Sequence, residues 1–301
     1  MAQNLDRNAQ EEYLDSSGGL RIFVRSWRPE TQARAVVVIC HGVNSHSGQY
    51  AWAAEQFVSS DFAVYALDLR GRGKSDGERF FVDTVADYVS DLARTIELAK
   101  AREPGLPLFL LGHSAGGVVS CTYTLDNQDQ LHGLICESFA FRVYAPDFAL
   151  AALKGLSHLA PHAHVLRLRN EDFSRDPAVV QALNSDPLIE NEVQPTSTVA
   201  ALARADERLK ESFHQITLPV FILHGSADKA TKPAGSQFFF DTVGSADKTL
   251  KLYPDHFHDL LSDYGKEAVI ADMKSWIEAR LDNAPAREAE GRANAAPLGA
   301  G

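Results

Sequence analysis

Residues 105–117 read Gly-Leu-Pro-Leu-Phe-Leu-Leu-Gly-His-Ser-Ala-Gly-Gly, and the next ten, 118–127, read Val-Val-Ser-Cys-Thr-Tyr-Thr-Leu-Asp-Asn. The run Leu108–Leu111 is short, continuous and apolar, as a strand covered on both faces is. Ala115–Asp126 has the composition of a helix. The intervening Gly112-His113-Ser114-Ala115-Gly116 is a G-x-S-x-G turn between strand and helix. A turn this sharp excludes bulk from its neighbours, and Gly112 and Gly116 supply the room. It projects the Ser114 hydroxyl beyond the sheet, beside the positive end of the helix. Strand, turn and helix in that order are the context a nucleophile elbow requires, so Ser114 is the candidate nucleophile.

The same alternation extends in both directions. Leu20–Trp27 alternates apolar and polar residues, and Ala35–Cys40, Ala63–Leu67, Leu134–Cys136 and Val220–Leu223 are compact apolar runs. Helical stretches lie between them at Tyr50–Ser59, Val82–Ala101 and Ser236–Thr242. Strand and helix in alternation predict an α/β fold with a mostly parallel central sheet and helices on both faces. From Phe141 to Phe213 the alternation stops, and only amphipathic helix and loop are expected. The predicted organisation is a core of residues 17–140 and 214–282, a mainly helical cap of residues 141–213, and flexible tails at 1–16 and 283–301. The tails are poor in apolar residues and cannot offset the entropy of ordering.

Composition narrows the function. The 301 residues carry 29 Lys+Arg and 40 Asp+Glu, a net charge of -11, which repels phosphate backbones and argues against nucleic-acid binding. Three cysteines give no disulfide framework. No apolar run approaches the length of a membrane span, and the first residues have no basic and apolar leader pattern, so a cytoplasmic location is expected.

A serine hydroxyl needs a base that an acid orients, and in this architecture the order along the chain is serine, acid, histidine. Val220–Leu223 runs into His224-Gly225-Ser226-Ala227-Asp228, and Leu250–Tyr253 runs into Pro254-Asp255-His256-Phe257-His258. Asp228 and His258 are therefore the candidate acid and base. Glu137, at the end of the neighbouring strand, is the rival acid, and His256 the rival base. The oxyanion donors are expected to be the backbone N–H of Ala115 and that of Val43, which follows Ala35–Cys40. Gly73-Lys74-Ser75 is no phosphate loop, because Asp68 stands where its first glycine belongs. His162 and His164 have no partner at metal spacing, so neither metal nor organic cofactor is expected.

Together these residues resemble the α/β-hydrolases, specifically the monoacylglycerol lipase and lysophospholipase group. The quotable stretches are HGVNSHSGQY (41–50), DLRGRGKSDGERF (68–80), GLPLFLLGHSAGG (105–117), NSDPLI (184–189), HGSADK (224–229) and DKTLKLYPDHFHDLL (247–261). The resemblance carries the family's triad onto Ser114, Asp228 and His258 and its oxyanion donors onto Val43 and Ala115. It implies hydrolysis of monoacylglycerols or similar acyl esters through an acyl-serine. His41, Gly42, His113, Glu137, Phe139, Phe148 and Leu156 are the expected pocket residues. The apolar positions Phe148, Ala152, Leu153, Leu156 and Leu159 of the cap are expected to line an acyl tunnel, touch a lipid interface, or pack on the core. Broad-specificity esterase, amidase or acyltransferase chemistry on the same triad, and a non-catalytic ligand-binding protein, stay open as alternatives.

Overall fold

The computed structural model describes residues 9–144 and 146–281. Its elements in chain order are β1 (Gln10–Asp15), β2 (Arg21–Trp27), β3 (Ala35–Cys40), α1 (Ala51–Val58), β4 (Phe62–Leu67), α2 (Val85–Arg102), β5 (Leu108–His113), α3 (Ala115–Asn127) and β6 (Gly133–Glu137). Then follow α4 (Asp147–Leu156), β7 (His164–Leu166), α5 (Pro177–Asn184), β8 (Gln194–Pro195), α6 (Thr196–Ser212), β9 (Val220–Gly225), α7 (Pro233–Thr242), β10 (Lys248–Tyr253) and α8 (Lys266–Leu281). Eight strands form one sheet in the order β1-β2-β4-β3-β5-β6-β9-β10. The β1–β2 and β2–β4 pairs are antiparallel, and all others are parallel.

The apolar runs are strands because each is buried on both faces. In β3, Val36, Val38 and Cys40 pack with α2, α3 and α7 residues on one side. Ala35, Val37 and Ile39 pack with α1 and α8 on the other. Cys40, Cys121 and Cys136 are all buried and unbridged, small core residues as the sequence suggests. Lys266–Leu281, which the sequence pattern leaves unassigned, is the helix that closes the second face with Val269, Ile270, Met273 and Ile277.

Two expectations need correction. Residues 10–15 are a strand rather than tail: β1 pairs antiparallel with β2 along its whole length. Its alternation is hidden because its anchors are charged. Glu11 pairs with Arg25 and Lys74, Glu12 with Arg102, and the Tyr13 ring meets Phe23 edge-on. Residues 1–8 and 282–301, the rest of the expected tails, lie outside the described residues. The segment between β6 and β9 also contains β-structure, since β7 and β8 pair antiparallel. Its ends are core, not cap: Phe141 stacks on Phe139 and Phe238, Phe213 packs against Phe239, and Ala201, Ala205 and Leu209 of α6 are buried with them.

The strand order places the site. After β3 the chain turns outward to β4, then returns to the other side of β3 as β5, so the loops that follow β3 and β5 diverge from adjacent strand ends. That crevice is where ligands bind in open α/β sheets. Cys40 is in register with Gly112, His113 with Glu137, Glu137 with Leu223, and Gly225 with Tyr253, so the loops after β3, β5, β6, β9 and β10 open at one edge.

Candidate active site

Ser114 sits between β5 and α3 with φ 54° and ψ -121°, a conformation non-glycine residues rarely adopt. The strain, on the order of 1–3 kcal/mol, is held by the surroundings. Ser114 N–H donates to the Glu137 carbonyl (2.9 Å), and its own carbonyl accepts from Gly117 N–H (2.9 Å). The glycines are needed for space. A Cβ on Gly116 would lie 2.1 Å from the Cys40 carbonyl oxygen, and one on Gly42 would lie 2.8 Å from Ser114 Cβ.

Asp228 and His258 meet beside it. His258 Nδ1 lies 2.8 Å from Asp228 Oδ2, both side chains fully buried. Asp228 Oδ1 accepts from the N–H of Ala230 (2.8 Å) and Thr231 (2.9 Å). Its Oδ2 also accepts from the Thr231 hydroxyl (2.9 Å) and lies 3.0 Å from His224 Nε2. Burial opposes the charge on Asp228, but His258 and His224 outweigh it and hold the carboxyl far below its ordinary range. Nε2 of His258 is buried with no hydrogen-bond partner, so it is free to take a proton. Phe173, from the segment between β6 and β9, covers the imidazole edge-on at 5.0 Å.

The rivals are placed elsewhere. His256 turns its Nδ1 to the Pro254 carbonyl (2.9 Å). Glu137 is fully buried behind β5, where Oε1 accepts from Leu261 N–H (3.2 Å) and Oε2 has no partner. Burial, then the charge of Asp259, pushes its carboxyl well above the ordinary range. Ligand atoms of Glu137, His113 and Asp259 lie within 4.8 Å of one another. Burial, then the charge of His258, pushes His113 well below its usual range. It therefore stays neutral beside His258, ring centroids 5.0 Å apart, and bonds Tyr50 OH at 3.0 Å.

A cavity of about 460 Å³ opens on Ser114. Val43 and Ala115, the two expected oxyanion donors, line it. Its apolar wall is Val118 of α3, Leu150 and Leu153 of α4, and Val199 and Leu202 of α6, and the charged residues Arg167, Arg169, Asp172, Asp206 and Lys229 also line it. None of the seven expected pocket residues lines it. His41 is locked in the loop after β3, with Nδ1 on the Gly42 carbonyl and Nε2 accepting from Leu69 N–H. Gly42 backs Ser114, while His113 and Glu137 lie beneath the sheet edge. Phe139 belongs to the aromatic core. Phe148 is 78% exposed and Leu156 40%, because α4 turns Leu150 and Leu153 inward instead.

Three contributors escape sequence inspection. Thr231 and His224 complete the shell around Asp228, and the spacing of His224 four residues before it is the one available signal. Glu192 is the third: its Oε1 accepts from Asn44 N–H (2.9 Å), next to Val43, and it pairs with buried Arg72. No local pattern links residues 148 positions apart.

The fold and the matches that follow define a class: an α/β-hydrolase, an enzyme of carboxylic-ester hydrolysis, with Ser114, His258 and Asp228 as its candidate site. The family profile described as "Serine aminopeptidase, S33" matches residues 31–265, and the chain belongs to that family. It is 32% identical over 266 residues to a monoacylglycerol lipase of Mycolicibacterium smegmatis, covering 88% of this chain and 95% of the relative. It is 30% identical to the monoglyceride lipase of Rattus norvegicus, covering 91% and 92%. The crystal structure of the Paleococcus ferrophilus monoacylglycerol lipase superposes with a TM-score of 0.77 at 28% identity, covering 85% of this chain and 99% of that one.

Proposed function

We propose that the protein hydrolyses monoacylglycerols or closely similar acyl esters, with Ser114 as nucleophile, His258 as base and Asp228 as orienting acid. The observation that carries this reading is the 2.8 Å contact of His258 Nδ1 with Asp228, which leaves Nε2 unpaired, while Thr231, whose hydroxyl bonds Asp228, lines the cavity that opens on Ser114. Asp228 holds the imidazole with its proton on Nδ1. Nε2 takes the Ser114 proton as Oγ attacks the ester carbonyl. The N–H groups of Val43 and Ala115 receive the oxyanion. The protonated imidazole gives its proton to the leaving alkoxide, and the alcohol departs from an acyl-serine. Water then attacks, delivering its proton to His258, and the free acid and Ser114 are restored. None of these steps calls for a metal or cofactor.

The substrate class rests on the relatives named above and on the apolar cavity walls, which suit an acyl chain. The exposed apolar residues Phe148 (78%) and Leu159 (86%) give the cap a face for contact with a lipid interface. The net charge of -11 offers anionic membranes no long-range attraction, so the contact is weak. Among the described residues no helix is long and apolar enough to cross a membrane, and we place the enzyme in the cytoplasm.

Ser114→Ala tests the reading. Turnover of p-nitrophenyl and glyceryl esters is expected to fall at least about 10³-fold, with an unchanged melting curve and no labelling by a fluorophosphonate. Parent-level turnover by this variant would overturn the mechanism.

A further inference from the structure

The cavity that opens on Ser114 is lined by charged as well as apolar side chains. One turn beyond Leu202 and Ala203 on α6 stands Asp206, which also lines it. Its Oδ1 is sealed from solvent and has no hydrogen-bond partner. Of the cations around it, Lys154 pairs with Glu207, Arg204 donates to the Lys154 carbonyl and the Ser157 hydroxyl, Arg169 pairs with Glu171 and Lys229 lies over the Phe257 ring, and Arg167 lines the same cavity without a hydrogen bond to Asp206 Oδ1. Burial, then the neighbouring charge of Glu207, pushes the Asp206 carboxyl well above its ordinary range. A buried polar group without a partner is destabilising, and an apolar residue here would remove that cost.

The position of Asp206 can be read from the helices. Asp206 lies seven residues past Val199 on α6, about 10 Å along the axis. On α3 the same span separates Ser114 from Cys121. Helices α3 and α6 pack on each other, and Cys121 of α3 and Ala205 of α6, the residue before Asp206, are buried in the same core cluster, which sets the carboxyl at the level of that second turn. An extended acyl chain advances about 1.3 Å per methylene, so a chain esterified at Ser114 would reach Asp206 near its eighth carbon.

We propose that Asp206 is a specificity-determining residue that receives a hydroxyl carried on the acyl chain about eight carbons from the carbonyl, so that the preferred acyl group is a medium-chain hydroxyacyl rather than a plain alkyl chain. This rests on the ester-hydrolase reading above. A carboxyl group in this place both donates to and accepts from a hydroxyl, and a plain chain leaves it unpaired. Sites built to hydrogen-bond a substrate hydroxyl discriminate strongly against analogues that lack it.

The test compares kcat/KM for glyceryl octanoate with 8-hydroxyoctanoate, and decanoate with 10-hydroxydecanoate, in the parent, Asp206→Leu and Asp206→Asn. The hydroxyacyl-to-plain ratio is expected to fall at least about tenfold in Asp206→Leu, equivalent to about 1.4 kcal/mol, with the plain esters improved. Asp206→Asn, which still donates and accepts, should hold an intermediate ratio. Melting curves of all three report folding, and Asp206→Ala replaces the leucine variant if that one does not fold. A ratio that moves less than twofold, or equal losses on both substrates, overturns the proposal. Acetyl ester turnover by the parent that Ser114→Ala abolishes shows that such a failure is confined to Asp206. If the parent cleaves no ester, the underlying reading has failed instead.

Discussion

Glu137→Gln offers a test of the electrostatics behind the site. Glu137 is fully buried, accepts one N–H bond from Leu261 and leaves Oε2 unpaired within reach of His113 and Asp259. Burial, then Asp259, raises its carboxyl well above the ordinary range. The folded protein therefore keeps a proton that the unfolded chain releases near pH 4.3. A raised folded-state value means that stability is fully present below the unfolded value and declines as pH rises toward the folded one. While that difference of one proton persists, each pH unit costs about 1.4 kcal/mol. At roughly 2 °C per kcal/mol for a chain of this size, that corresponds to about 3 °C per pH unit over the range in which only the unfolded chain has released this proton. Glutamine has the same shape, still accepts from Leu261 and does not titrate. It also relieves Asp259 of an acidic neighbour, which acts in the same direction. Differential scanning fluorimetry of parent and variant across this range should show a gap that widens in favour of the variant by about 3 °C per pH unit. A constant gap, or one that widens in favour of the parent, would refute a protonated Glu137. Ester turnover should stay within a few fold of the parent, because Glu137 does not touch His258.

Asp228→Asn should lower kcat about 10³- to 10⁴-fold by releasing the imidazole from its productive tautomer, and a loss no greater than that of Glu137→Gln would move the acid role to Glu137. Glu192→Gln keeps an acceptor for Asn44 N–H but leaves Arg72 buried without its counter-charge. Chemical denaturation should register a loss of about 3–5 kcal/mol, and a change under 1 kcal/mol would show that the hydrogen bonds Arg72 donates to Gln194 Oε1 (2.7 Å) and the Tyr88 hydroxyl (3.4 Å) suffice for it.

Five of the eight strands of the sheet, β3, β4, β5, β6 and β9, are legible as apolar runs, since a strand buried on both faces leaves little room for polar residues, and β2 and β10 are legible from alternation and from the motif that follows. The eighth, β1, is not. It lies at the sheet edge and is held by its backbone ladder and by Glu11 and Glu12, charges that in a single sequence look like solvated tail. The β7–β8 pair, three and two residues long, is too short to leave a pattern.

At the site the division follows range. Gly112, Ser114 and Gly116 announce themselves because a sharp strand-to-helix turn constrains neighbouring residues, and Asp228 and His258 follow because strand ends deliver them to one edge. Sequence alone therefore determined the fold class and the residues to be brought together. Only tertiary structure decided which acid meets His258, since Asp228 and Glu137 both end strands and their distance to the imidazole depends on sheet order. It also decided the cavity wall. The helical phase of α4 turns Leu150 and Leu153 inward and Phe148 and Leu156 outward, and α6 sets Asp206 among apolar residues. Such placement depends on how helices pack, a relation between distant segments that no local pattern encodes.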